Sequence, residues 1–299
     1  MLRCRSETGL GREVPWRIGH AGSAPVSGAI RLVVSDLDGT LIRSDKTLSD
    51  GVVAAVGRLA HAGATVSLIS ARPPSGMLWV AERFALDGTI AAFNGGTILR
   101  TDGTILYRYV IPPAAARHSL EVLCQFPVTI WLFRGGFWHA SSLEDPHTSR
   151  EIASTNQQPV LVGDMAEFAD SIDKIVAVTD DYALLARLEV QLRQALGTEA
   201  NVVRSQPYYL DITAARANKG DGISALAEAA GVPLAQTAAI GDQRNDLPMF
   251  ARAGLSIAMG QGPEDVRLAA SYVTRSSDED GVADAVDAIL LSRVRACTH

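Results

Sequence analysis

Cysteine is scarce in this 299-residue chain. Cys4, Cys124 and Cys297 lie far apart without metal-ligand spacing, and their odd number argues against a disulfide framework, so they read as free thiols. The six histidines form no H-x-H or H-x-x-x-H pair, which leaves a zinc site without support; His61 and His118 read as ordinary helix-face residues. No apolar run nears the roughly 18 residues that span a bilayer, and the first residues lack the apolar stretch of a secretory signal. The expectation is a cytoplasmic protein without a membrane partner. Positive charge is in the minority, and a net charge of −6 counts against a nucleic-acid partner. A small substrate is expected.

Hydrophobic residues are ample at 47%. Residues 1–29 mix Gly, Ser, Pro and Arg without a sustained period and read as a flexible N-terminal extension. From Ile30 onward strands and helices alternate, the pattern of a parallel sheet covered by helices. A strand at 32–34 is followed by a helix that Ser49 can cap and Gly63 can end, then by a strand at 65–69. Pro73 and Pro74 suit the first turn of a second helix. Short strands follow at 90–93, 98–99 and 105–107.

Residues 111–206 break this rhythm. They predict a helix over 114–124, a strand pair flanking Gly135-Gly136, a poorly patterned stretch, a strand at 174–178 and a helix over 182–196. Trp131, Phe133, Phe137 and Trp138 read as core and hairpin packing rather than a ligand platform. The alternation then resumes with strands at 208–212, 238–240 and 255–258, helices after Lys219 and Asp246, and a last helix over 282–291. The expected fold is α/β, a doubly wound parallel-sheet (Rossmann-like) core over 30–110 and 207–292, with an α+β cap domain inserted at 111–206.

Four stretches fall where strands end and helices begin, the edge at which open α/β sheets bind ligands. "DLDGTLI" carries Asp36 and Asp38, "LISAR" carries Ser70 and Arg72, "RANKGDG" carries Lys219, and "AAIGDQRNDLPM" carries Asp242, Asn245 and Asp246. Two carboxylates leaving one buried strand repel each other. With Asp242 beside Asp36 they form an oxygen-rich pocket for a hard divalent cation, Mg²⁺ by preference. A cation, a lysine, a hydroxyl and a free carboxylate describe phosphoryl transfer: Asp36 to attack phosphorus, Asp38 to protonate the leaving oxygen, Lys219 and Ser70 to hold the transferring group. Arg72 meets either substrate or a neighbouring carboxylate.

In this order the stretches resemble the haloacid dehalogenase superfamily, and the insert between Ser70 and Lys219 resembles its Cof-type phosphatase branch. The resemblance runs from residue 30 to about 292. It implies Asp36 as nucleophile and Asp38 as acid/base. It also implies a Mg²⁺ site made by Asp36, the backbone carbonyl of Asp38 and Asp242, with Asp246 completing or supporting the shell. "FNGG" around Asn94 resembles a stretch lining the substrate side, where Ser70, Lys219 and Asn245 also belong. "SAR" stands where "TGR" is commoner, and Gln261 in "AMGQG" where Asn is usual. The function so implied is hydrolysis of a small phosphorylated metabolite through an aspartyl-phosphate. A phosphomutase using the same chemistry, or a phosphometabolite-binding module without turnover, are the alternatives.

Overall fold

The computed structural model describes Arg17–Ile18 and residues 29–294; the rest of the expected N-terminal extension lies outside the described residues. The central sheet has six strands in the order Arg17–Ile18, Tyr272–Val273, Leu255–Ala258, Thr237–Gly241, Leu32–Ser35 and Thr65–Leu68. All neighbours are parallel except the antiparallel edge pair formed by Arg17–Ile18. A strand buried on both faces needs a continuous apolar run. Residues 32–34 supply one, and Ser35, which ends the strand, is buried with them.

Chain order reverses between Leu32–Ser35 and Thr237–Gly241, the neighbours at the centre of the sheet. The crossover helices diverge there and leave a crevice at the carboxyl ends of the strands. Helix Asp50–His61 begins where expected: the Ser49 hydroxyl accepts the Val52 N–H at 3.1 Å, and Val52, Ala55, Val56 and Leu59 bury one stripe. Each such Val or Leu contributes about 1.5–3 kcal/mol of burial. A three-stranded antiparallel sheet, Thr89–Ala92, Thr97–Arg100 and Ile105–Arg108, joins the central one through an Ile69–Ala91 bridge.

A second six-stranded sheet runs Ala200–Gln206, Tyr209–Ala214, Lys174–Val178, Thr129–Arg134, Phe137–Ala140 and Val160–Leu161. Helices Pro113–Leu123 and Tyr182–Leu196 bury its outer face, whose Ile130, Leu132, Ile175, Ala177, Leu210 and Ile212 form a separate apolar core. The strand expected at 208–212 as part of the parallel core instead belongs here. It spans Tyr209–Ala214 and pairs antiparallel with both Ala200–Gln206 and Lys174–Val178. The two-residue Pro207-Tyr208 connection permits only an antiparallel return.

Ala200–Gln206 was not expected, because its outer half is exposed and polar. The poorly patterned stretch holds a short helix, Thr148–Thr155, and the Val160–Leu161 strand. Among the expected packing aromatics, Trp131, Phe133 and Trp138 are buried, whereas Phe137 is exposed at the tip of its hairpin. The helix expected after Asp246 is a single turn, Leu247–Phe250, and the last helix runs Gly281–Ala285 before loosening to π geometry over Val286–Leu290.

Candidate active site

Asp36 follows directly on Leu32–Ser35, and its backbone N–H extends the parallel ladder by donating to Ile240 O at 2.9 Å. Asp242 follows on the adjacent Thr237–Gly241. The two acids expected to share a cation therefore stand side by side at the reversal of strand order. Lys219 opens helix Lys219–Ala229, held in place by Asn218, whose side-chain oxygen accepts the Asp221 N–H at 2.9 Å. Its Nζ lies 2.6 Å from Asp36 Oδ1 and 2.5 Å from Asp246 Oδ1. Asp246 uses its other oxygen to accept the Asp242 and Gln243 N–H groups, both at 2.8 Å.

Asp36, Asp242, Asp246 and Lys219 are all buried. One oxygen of each carboxylate lies within 4.8 Å of the other two. Burial pushes the Asp36 carboxyl well above the ordinary carboxylate range, with Asp246 and Asp242 adding to the rise against Lys219. Burial also pushes Asp242 up to about 6, helped by Asp246. Lys219 runs the other way: its burial is outweighed by Asp246 and Asp36, which hold it above its usual value. Three carboxylates and one ammonium leave a buried formal charge of −2, which is costly without a partner. Hard oxygen donors, close together and two charges in excess, fit a divalent cation.

Gly39 turns the chain sharply after Asp38. It has φ +78°, and a Cβ there would sit 2.5 Å from Asp242 Oδ2. Gly39→Ala therefore combines left-handed backbone strain, roughly 1–3 kcal/mol, with intrusion on a carboxylate. We expect it to lower the melting temperature by several degrees and to weaken divalent-cation binding, both measurable by calorimetry. Gln261 explains its own difference from the family pattern. Its Nε2 donates to Gly39 O at 2.5 Å while its Oε1 accepts the Ser277 N–H at 3.2 Å, so the longer amide bridges two loops around the turn.

The Asp38 carboxylate is gripped from two sides. Arg72 binds it in bidentate fashion, Nε to Oδ2 at 2.7 Å and Nη2 to Oδ1 at 2.8 Å, and Lys46 Nζ reaches Oδ1 at 2.8 Å. Partial burial raises its pKa, but Arg72 and Lys46 outweigh this and hold it at about 2. It stands here as a carboxylate with little affinity for a proton while both cations hold it. The choice left open for Arg72 thus falls on a neighbouring carboxylate. Its guanidinium also donates to Ser154 O at 3.1 Å, linking the catalytic edge to the second sheet's short helix.

Ser70 is buried next to the end of Thr65–Leu68, and its hydroxyl accepts the Arg72 N–H at 3.2 Å. Asn94, in left-handed geometry at φ 59°, donates its N–H to Ser70 O at 2.7 Å and accepts from Asn245 Nδ2 at 3.3 Å. Asp36, Asp38, Ser70, Asn94, Lys219, Asp242, Asn245 and Asp246 all lie along this one edge. Lys46 was missed because nothing in "RSDKT" marks a lysine that folds back on Asp38. Arg72 carried a signal, two positions past Ser70 on the same strand exit.

Residues 33–286 match the family described as haloacid dehalogenase-like hydrolase. A haloacid dehalogenase-like hydrolase from Bacteroides thetaiotaomicron is 30% identical, with a TM-score of 0.78 over 87% of this chain and 99% of that one. A Cronobacter sakazakii protein named HMP-PP phosphatase is 28% identical over 230 residues, 77% of this chain and 84% of its own. A subclass IIB sugar phosphatase, BT4131, shares the fold at 21% identity, with a TM-score of 0.76 over 87% of this chain and 99% of its own. The chain belongs to the haloacid dehalogenase-like hydrolase family and is an enzyme, a hydrolase of the phosphatase type. Among the described residues no helix is long and apolar enough to cross a membrane.

Proposed function

We propose that this enzyme is a Mg²⁺-dependent phosphatase that hydrolyses a small phosphomonoester through an aspartyl-phosphate on Asp36. The observation that carries the reading is the buried Asp36–Lys219–Asp246 chain beside Asp242 at the reversal of strand order. Asp36, Asp242 and the backbone carbonyl of Asp38 would hold the cation. Asp246 would support them from behind, since both its oxygens are already taken by Lys219 and two backbone N–H groups. Bound there, Mg²⁺ supplies compensation for the negative charge of the phosphoryl group.

Asp36 attacks phosphorus and the ester oxygen leaves. Lys219 neutralises the equatorial oxygens, and the Ser70 hydroxyl and the Asn94–Asn245 amides give them hydrogen bonds. Asp38, released from Arg72 and Lys46, then takes a proton from the water that opens the acyl phosphate, which frees phosphate and regenerates Asp36. To protonate a poor leaving group in the first half-reaction, Asp38 must likewise leave Arg72 and take up a proton from solvent before donating it to the departing oxygen. The division of labour follows the two sheets: the catalytic core takes 30–110 and the segment from about 215 to 292, and the cap takes 111 to about 214. That moves the second boundary past the Tyr209–Ala214 strand. The same reading puts the enzyme in the cytoplasm, with small phosphorylated metabolites as its substrates.

A hydrolysis screen over phosphorylated metabolites tests this reading. Excess chelator should abolish turnover and Mg²⁺ should restore it; full activity in chelator contradicts the metal assignment. Cation binding should also raise the melting temperature. A hundredfold excess over Kd is worth about 2.7 kcal/mol, several degrees for a chain of this size.

A further inference from the structure

The catalytic edge occupies one end of the central sheet; the opposite end holds a cavity of about 500 Å³, within the size range of small-molecule sites. It opens where two sheets part. The three-stranded sheet joins the central one at the Ile69–Ala91 bridge, and toward the amino ends of the strands the Ser67 hydroxyl spans the widening gap, donating to Thr89 O at 2.6 Å. Helix Lys219–Ala229 covers this seam unevenly. Its first half packs backbone to backbone, for a Cβ on Gly95 would sit 2.7 Å from Gly222 Cα. Its far end presents Ala225, Ala229 and, just beyond, Ala230, whose methyl groups are too short to fill the space.

The walls of the cavity differ in chemistry. The sheet side is a floor of hydroxyls from Thr65, Ser67 and Thr89; Ser67 is buried, and its oxygen, already donating to Thr89, is left as an acceptor. The helix side is apolar, made by Leu226 and the three alanines. Asp87, Glu228 and Arg100 stand exposed around the mouth, and the salt bridges among the described residues involve none of them. Two carboxylates and one guanidinium leave a formal charge of −1. The last turn of the helix carries Glu228 and no basic residue, so the negative end of its dipole adds to that charge.

We infer that this cavity is a second ligand site, separate from the catalytic edge, and that it takes a small organic cation, an ammonium group on a flat apolar body. The apolar body suits the seam between helix and sheet and lies against Leu226 and the alanines. The ammonium turns to Glu228, Asp87 and the end of the helix. An anion of the same shape would meet two carboxylates and a negative helix end, with one guanidinium against them. The site does not compete for space with phosphoryl transfer. Lys219 is the first residue of the helix and Ala229 the last, so the two ends lie about 15 Å apart at 1.5 Å per residue.

Titration calorimetry of the full-length protein with tryptamine tests the site, run in saturating Mg²⁺ so that the acidic catalytic pocket does not draw the amine. Tryptamine should bind at one site with a Kd of about 1 mM or tighter, and indole-3-acetate, the same ring with a carboxylate in place of the ammonium, at least about tenfold more weakly. Asp36→Asn should bind tryptamine as the wild type does. Glu228→Gln should weaken it about tenfold, the worth of one hydrogen bond to a charged group, and Ala229→Phe, which fills the cavity from the helix, should abolish it. Both positions are exposed, so melting temperatures close to the wild type's should show that lost binding is not lost folding. Equal affinity for the two indoles, an unchanged Kd in Glu228→Gln, binding that survives Ala229→Phe or is lost in Asp36→Asn, or a wild-type protein that takes up no tryptamine would each overturn the proposal.

Discussion

Asp36→Asn is expected to remove all but a trace of turnover, at least about 10⁴-fold, while the protein stays folded. An amide is a poor nucleophile and a weaker ligand for a hard cation, so the covalent step and part of the cation's hold are lost together. The fold should tolerate the change. The amide keeps an oxygen for Lys219 Nζ, now 2.6 Å from Asp36 Oδ1, and relieves the crowding of three buried carboxylates that pushes the Asp36 carboxyl upward. In excess chelator the variant should match the wild type to within about 1 kcal/mol, because the lost ion pair and the lost repulsion offset each other. Activity and thermal unfolding measured together separate this from simple misfolding. Near wild-type rates in Asp36→Asn contradict the assignment of the nucleophile.

Asp38→Asn should slow turnover by about 10²–10⁴-fold, the usual contribution of general acid–base catalysis. The loss should depend on the leaving group. An alkyl phosphate needs a proton at the departing oxygen and should show the full effect. An aryl ester such as para-nitrophenyl phosphate leaves without one and should suffer less in its first half-reaction. Hydrolysis of the acyl phosphate should slow for both, because Asp38 as a carboxylate is the base toward water. Its partners add a condition: Arg72 and Lys46 hold it at about 2, so they must release it before it acts as a base. With an aryl substrate the variant should therefore accumulate phosphoenzyme. Equal losses for alkyl and aryl esters, with no accumulation, would assign Asp38 a merely structural role.

Much of this arrangement is legible in the sequence, for a local reason. Asp36, Ser70 and Asp242 each follow a short apolar run suited to a buried parallel strand, and parallel strands present their carboxyl ends on one edge. Lys174–Val178, Tyr182–Leu196 and Leu255–Ala258 have the bounds their patterns predict. What the sequence hides is pairing between distant segments. Tyr209–Ala214 reads as a buried run suited to either sheet; only its pairing with Ala200–Gln206, a half-exposed strand with a polar end, assigns it. Asp38 and Lys46 share the segment between Leu32–Ser35 and helix Asp50–His61, and Arg72 grips Asp38 from a second, distant loop. Lys174 and Asp211 show no special spacing and meet only because adjacent strands bring them onto one face.

The central claim is that phosphorus passes through Asp36. Rapid quench of the enzyme with Mg²⁺ and para-nitrophenyl phosphate, followed by peptide mass spectrometry, addresses it directly, with Asp38→Asn used to slow breakdown. The expected result is a base-labile phosphoryl adduct on Asp36, formed and lost at rates consistent with turnover and absent from Asp36→Asn. An adduct on another residue, or turnover in Asp38→Asn with no adduct at any quench time, would contradict it.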